Sequence, residues 1–275
     1  MAKKLIRMAI SYDFDGTLSP ENMQEYDFIP ALKMASKPFW SSVTDLAKQH
    51  EMDPILAYMH VMLEEARKAH IQVRKNDFKH FGENIALFPG VTDWFGRINT
   101  YAKNKGIKLE HFIISSGIRE MLEGTPIFKE FKKVYASGFM FDYHGVAQWP
   151  ALAVNYTTKT QYLFRINKGS LDVHDNSIIN KFVPKEQRPV PFEHMIFVGD
   201  GETDIPCMRL VKDQGGHSIA VYKPGKHNAK KHAEQLIKDG RATLYTTADY
   251  QEGSAIDLAV KAIIDKIEAS SRIVK

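Results

Sequence analysis

The sequence predicts an α/β fold: a doubly wound, mostly parallel Rossmann-like sheet with an all-helical segment inserted after its first strand. Two observations carry this. Apolar runs at residues 5–12, 111–114, 134–141, 195–198, 218–222 and 242–245 alternate mostly with helical patterns, as in a parallel sheet covered on both faces. Three of those runs break into polar clusters: Asp13-Phe14-Asp15-Gly16-Thr17, Ser115-Ser116-Gly117 and Gly199-Asp200-Gly201-Glu202-Thr203-Asp204. Ligands of open α/β sheets bind at the carboxyl ends of strands, and all three clusters fall on that edge.

The first run ends in two carboxylates. Side chains two apart on an extended chain share a face, so Asp13 and Asp15 can converge, and Gly16 permits the turn that follows. Unpaired carboxylates about 4 Å apart repel by roughly 4 kcal/mol at an effective dielectric near 20. A positive charge must offset that, and Mg²⁺, a hard cation with oxygen ligands, suits the task. The competing reading of Asp-x-Asp-Gly is a turn with Asp as a helix N-cap.

Residues 20–88 hold helical patterns without a convincing strand. Asp53 as N-cap and Pro54 at the first helical position open one helix, and Ile55, Leu56, Met59, Met62, Leu63 and Ala66 follow at helical spacing. The His60, His70, His80 spacing matches no metal-ligand geometry on a helix. Phe88-Pro89-Gly90-Val91 marks the return to the core, and Trp94, Ile98 and Tyr101 define the next amphipathic helix. The expected division is therefore a core of residues 1–19 and 89–275, interrupted by a helical unit at 20–88.

Beyond the serine cluster come a turn at Asp142-Tyr143-His144-Gly145 and a strand-like stretch at 151–155. Thr158-Lys159-Thr160 then opens an amphipathic helix with Tyr162, Leu163 and Ile166, and Lys181 sits near the end of another helix-like stretch. Cys207 lies on the apolar face of the helix after Asp204, with no adjacent basic residue to make it a thiolate, so it reads as core.

The composition is that of an ordinary globular protein, with 44% hydrophobic and 25% charged residues, and no repeat or low-complexity tract. The net charge of +4 is modest and its basic residues are dispersed, so neither a nucleic-acid nor a membrane partner is expected. The denser run Lys223, Lys226, Lys230, Lys231 reads as a solvated helix start. No apolar stretch approaches the roughly 18 residues of a membrane span, and Arg7 and Asp13 interrupt any signal-like segment, which predicts a cytoplasmic protein.

Gly199-Asp200-Gly201 begins like a dinucleotide fingerprint, but the third glycine would fall at Asp204, whose charge repels a pyrophosphate. No Walker A sequence occurs. Taken in order, Asp-x-Asp-x-Thr, an apolar strand ending in Ser, a lysine and Gly-Asp-Gly-x-x-Asp closely resemble the haloacid dehalogenase superfamily of phosphatases. The resemblance spans nearly the whole chain, and the helical insertion is similar to the type 1 cap of its phosphoserine-phosphatase-like branch.

The resemblance implies a Mg²⁺-dependent phosphomonoester hydrolase acting through an aspartyl phosphate on a small soluble phosphorylated metabolite. Asp13 would be the nucleophile and Asp15 the acid and base. Ser115 and the neighbourhood of Ser116 would bind phosphate together with a lysine, Lys159 or Lys181, with Lys159 favoured by its helix start. Asp13, Asp200 and the backbone carbonyl of Asp15 would hold the metal, with Asp204 outside them. Arg67, Lys68 and Arg74 are candidate contacts to an acidic substrate. A phosphotransferase or phosphomutase would keep the same motifs, and a noncatalytic regulator could use the same fold. The motifs say nothing of oligomeric state.

Overall fold

The computed structural model describes residues 5–273. Strand β1 (Ile6–Tyr12) is followed by four helices, α1 (Phe28–Ala31), α2 (Ser36–His50), α3 (Pro54–Lys68) and α4 (Lys75–Glu83), before α5 (Val91–Asn104) leads into β2 (Ile107–Ile118). The chain continues through α6 (Arg119–Leu122), β3 (Lys133–Phe141), β4 (Ala147–Leu152), α7 (Lys159–Lys168) and β5 (Met195–Gly199). It then alternates through α8 (Ile205–Asp213), β6 (His217–Tyr222), α9 (Ala229–Lys238), β7 (Leu244–Thr247) and α10 (Ala255–Ile273).

The strands form one seven-stranded sheet in the order β4-β3-β2-β1-β5-β6-β7. Every neighbouring pair is parallel except β3 and β4. The order reverses beside β1, which places the ends of β1, β2 and β5 at the topological switch point where such sheets bind ligands.

Alternation along the strands divides the core in two. Met8, Ile10 and Tyr12 of β1 face one cluster with Ile113, Ile196, Val198, Ile219 and Val221, covered by α5 and α10 through Trp94, Phe95, Ile98, Val260 and Ile264. Ala9, Phe112, Ile114, Phe197 and Ala220 face the other, covered by α7, α8 and α9 through Tyr162, Leu163, Met208, Val211 and Leu236. Cys207 is fully buried in this second cluster. Among the described residues no helix is long and apolar enough to cross a membrane.

Helices α1 to α4 share the first cluster instead of forming a core of their own, through Phe28, Phe39, Met59, Met62 and Phe78. The Phe78 ring stacks between Phe28, 6.1 Å away, and Phe139 of β3, 5.2 Å away. Gly82 of α4 meets the turn after α6 so closely that a Cβ there would sit 1.8 Å from the Met121 carbonyl oxygen. The predicted cap of α3 forms: Asp53 Oδ1 accepts from the N–H groups of Ile55 and Leu56 at 2.8 and 3.2 Å.

Two expectations differ. The edge strand falls at Ala147–Leu152, not 151–155, because the Asp142–Gly145 turn closes a hairpin in which Asp142 Oδ1 accepts from the N–H groups of His144 and Val146. The stretch leading to Lys181 is not helical. There the buried Arg165 guanidinium donates to the carbonyls of Asp172, Val173 and Asp175 at 2.7 to 3.0 Å, so a side chain takes the acceptors that a helix would use.

Beneath β1, Trp94 Nε1 donates to the Tyr12 hydroxyl at 2.8 Å, that hydroxyl lies 3.0 Å from His111 Nδ1, and His111 Nε2 lies 3.1 Å from Asn99 Oδ1. A neutral His111 carrying its proton on Nε2 satisfies the whole chain. Burial pushes its pKa down to about 3, below the ordinary value near 6.5, so the unfolded chain takes up the proton first and stability falls as pH drops below that ordinary value. Between about pH 8 and pH 5 the unfolding free energy should fall by about 2 kcal/mol more in the wild type than in His111→Gln. Urea titrations at both pH values measure this. Parallel losses in the two proteins would show that His111 does not stay neutral in the fold.

Candidate active site

The Asp13 N–H donates to the Val198 carbonyl at 2.9 Å, carrying the β1–β5 pairing one residue past the strand and fixing Asp13 at the sheet edge. Asp13 is 7% exposed. The chain then turns back, and Gly16 adopts φ +75° against the Asp200 carboxylate. A Cβ at Gly16 would lie 2.1 Å from Asp200 Oδ2, so both the left-handed backbone and the close approach require glycine. Thr17 Oγ1 donates to Asp200 Oδ1 at 3.3 Å, and Asp15 Oδ1 accepts from the Met23 N–H at 2.9 Å.

Downstream of β5, Asp204 is fully buried and both its oxygens are engaged. Oδ2 accepts from the N–H groups of Asp200 and Gly201, each at 3.2 Å, and Oδ1 accepts from Lys159 Nζ at 2.7 Å. That ammonium is itself fully buried, lies 3.2 Å from Asp13 Oδ2 and donates to Thr203 Oγ1 at 3.3 Å. Lys159 reaches this position because Asn155 Oδ1 accepts from the N–H groups of Thr157 and Thr158, setting the start of α7. Asn155 Nδ2 in turn donates to Asp53 Oδ2 at 2.7 Å, so the residue that caps α3 also steadies the lysine's turn.

Ser115 lies within β2 near its end, where the register with β3 shifts before Ile118. It is 1% exposed, and its Oγ accepts from the Gly117 N–H at 3.0 Å, leaving the hydroxyl hydrogen to donate elsewhere. Ser116 Oγ is buried without a partner among the described residues, while its carbonyl accepts from the Tyr58 hydroxyl of α3.

Burial, with repulsion from Asp204 next in size, lifts the Asp13 pKa to about 6 against the pull of Lys159. Burial and then Asp13 raise that of Asp15 well above the carboxylate range, and burial followed by Asp204 and Asp13 carries Asp200 to about 8. Burial opposes charge on Lys159 as well, but Asp13 and Asp204 outweigh it and hold the ammonium protonated. One lysine does not balance this many carboxylates.

A divalent cation fits the shortfall. Ligand atoms of Asp13, Asp200 and Asp204 lie within 4.8 Å of one another, and Asp13 Oδ1 is buried without a partner among the described residues. An all-carboxylate set suits a hard cation such as Mg²⁺. Since Asp204 is spent on Lys159 and two backbone N–H groups, Asp13 and Asp200 are the side chains free to bind it.

The predicted residues thus divide. Asp13, Asp200, Asp204 and Lys159 are gathered by direct contacts or close approach, with Asp15 beside them on the β1 loop and Ser115 and Ser116 at the end of β2. Lys181 is exposed, and its carbonyl accepts from Lys168. Arg67, Lys68 and Arg74 are exposed on the helices, Lys68 paired with Glu64 and Glu65, and none lines the cavity beside Asp15. The run at Lys223 and Lys226 is not simply a solvated helix start, because it lines a cavity of about 300 Å³ with Gly16 and Asp200, and Lys223 pairs with Glu21.

Sequence reasoning missed the cavity of about 320 Å³ beside Asp15, walled by Gln24, Trp40, Val43, Ile55 and Tyr58 from the helical segment. It also missed Thr17 and the Asp53–Asn155 link. The β1 motif itself signals Thr17, whereas the others depend on contacts distant in sequence.

Fold and site together define a hydrolase of the haloacid dehalogenase type, and the chain belongs to the haloacid dehalogenase-like hydrolases, whose family model matches residues 10–209. An uncharacterized protein of Borreliella burgdorferi is 28% identical over 276 aligned residues, covering 90% of this chain and 93% of that protein. A haloacid dehalogenase family hydrolase of Salmonella enterica serovar Typhi superposes with a TM-score of 0.57 at 16% identity, over 93% of this chain and 70% of that one. A substrate-bound phosphoserine phosphatase superposes with a TM-score of 0.54 at 15% identity, over 87% of this chain and 92% of that one. The fold is therefore like that of phosphoserine phosphatase.

Removing one partner from a buried ion pair leaves the other charge uncompensated, a loss of about 3 to 5 kcal/mol. Because Lys159 keeps Asp13 as a partner, Asp204→Asn should lower the unfolding free energy, but by less than that amount. Denaturant unfolding reads it directly, and an unchanged midpoint would show that the Lys159–Asp204 pair is solvated.

Proposed function

We propose that this protein is a cytoplasmic phosphatase that hydrolyses a small soluble phosphomonoester through a phosphorylated Asp13. The observation that carries the reading is the surroundings of Asp13: a buried carboxylate held against an ammonium, with one oxygen unpartnered and a second aspartate two residues on. A carboxylate is a weak nucleophile, so positioning and charge must supply most of the acceleration.

In the first step an Asp13 carboxylate oxygen bonds to phosphorus while the bond from phosphorus to the ester oxygen breaks. Asp15, whose pKa is well above the usual carboxylate range, is protonated and gives its proton to the departing alkoxide. In the second step the resulting Asp15 carboxylate takes a proton from water as that water attacks phosphorus, releasing inorganic phosphate and restoring Asp13. Lys159 supplies fixed positive charge at the transferring oxygens, and the Ser115 and Ser116 hydroxyls donate to them. Asp204 holds Lys159 in place. Mg²⁺ bound by Asp13, Asp200 and the Asp15 carbonyl would supply the remaining charge neutralisation at the phosphoryl group. Helices α1 to α4 act in this reading as the cap over the site.

The test is release of inorganic phosphate from a panel of phosphomonoesters, with and without Mg²⁺. Asp13→Asn should fold and show no turnover, and chelation should silence the wild type until Mg²⁺ is restored. Lys159→Ala should lower kcat/KM by a few hundredfold, about 3 to 4 kcal/mol of transition-state stabilisation, with Lys181→Ala near the wild type. Turnover by a folded Asp13→Asn variant, or full activity in excess chelator, would overturn the reading.

A further inference from the structure

With Asp15 as the proton donor to the departing oxygen, the rest of the substrate lies in the cavity beside Asp15 and not in the lysine-lined one at Asp200, and the walls of the former are nearly free of charge. Among the described residues lining it, Asp15 is the only acidic one, and no lysine, arginine or histidine contributes. Two flanking carboxylates are occupied: Glu25 Oε1 accepts from Trp40 Nε1 at 2.9 Å and from Asn22, and Asp53 caps α3 and binds Asn155. A second phosphate or a carboxylate entering here would meet no cation, and an ammonium would find only the group needed for proton transfer. Burying such a charge unpaired is costly.

What the cavity does offer is a flat apolar surface and neutral hydrogen-bonding groups. The Trp40 ring is held by its bond to Glu25 and by edge contacts to Phe39 and Tyr58 at 5.1 and 6.1 Å, and it remains half-buried where it borders the cavity. Val43, Pro54 and Ile55 extend the apolar wall. Gln24 is 2% exposed, and its Oε1 has no hydrogen-bond partner among the described residues. That oxygen lies in the wall and is not exposed to the cavity. Asn22 and Thr44 add neutral polar groups. A volume of about 320 Å³ accommodates a ring and a sugar, not a macromolecule.

We infer that the substrate is the phosphate ester of an uncharged alcohol bearing a flat ring, of which a nucleoside monophosphate is the simplest form. The ring lies against Trp40. The inference rests on the hydrolase reading above and separates this site from one built for a zwitterionic phosphoamino acid.

The experiment compares kcat/KM for uridine 5′-monophosphate, ribose 5-phosphate, O-phosphoserine and acetyl phosphate, the last a small activated phosphate without a ring. Uridine 5′-monophosphate should exceed O-phosphoserine by on the order of a hundredfold. The ratio of uridine 5′-monophosphate to ribose 5-phosphate should fall about tenfold in Trp40→Ala, the scale of one base–aromatic stack, while Trp40→Phe keeps most of it. Equal or better use of O-phosphoserine, or a ratio indifferent to Trp40, overturns the inference while acetyl phosphate turnover leaves the hydrolase reading standing. No turnover of any of the four overturns both.

Discussion

The site is governed by an electrostatic constraint: Asp13, Asp200 and Asp204 converge where β1 and β5 end, and a single buried ammonium lies among them. Lys159 is paired with Asp13 and Asp204 at once, and they outweigh the burial that opposes its charge. The surrounding geometry follows from this. Gly16 exists to let the β1 loop pass Asp200, Thr17 donates to the same carboxylate, and the backbone after β5 curls so that two N–H groups reach Asp204. What stays unbalanced is the unpartnered oxygen of Asp13 and the raised pKa of Asp200, which is the demand that a bound cation and a phosphoryl group would meet together.

The helical segment is bound into this arrangement at three points. Asp15 accepts from the Met23 backbone, Tyr58 donates to the Ser116 carbonyl, and Asp53 joins the start of α3 to the turn before Lys159. Each contact runs from a helical residue to a residue at or next to the site. Phe78 and Gly82 fasten the far end of the segment to β3 and α6. A segment so tied shapes the cavity beside Asp15 as well as covering it, since Gln24, Trp40 and Tyr58 all come from it.

Much of this was legible in the sequence because strand ends announce themselves. An apolar run that stops at Asp13, Ser115 or Asp200 declares both its strand and the edge on which its polar residues fall, and Asp53-Pro54 declares a helix start. Period and capping are local signals. The two helix-like stretches holding Lys159 and Lys181 looked alike for the same reason. The helix start favours Lys159, and the fold separates the two by burying Lys159 against Asp13 while Arg165 draws the chain before Lys181 into an irregular loop. Gln24 and Trp40 carry no motif. Their cavity is made by contacts between residues distant in sequence, and the absence of cationic side chains from it becomes visible only when its walls are assembled.

The central claim is that Asp13 itself carries the phosphoryl group between substrate and water. The most direct measurement is acid quenching of the enzyme during turnover, followed by mass spectrometry of the peptide containing Asp13, with Asp13→Asn as the control. The account predicts a phosphorylated Asp13 in the quenched wild type that is lost when substrate is exhausted, and none in the variant. A phosphoryl group on Ser115, Ser116 or any other residue, or sustained turnover with no phosphoprotein at any quench time, would contradict it.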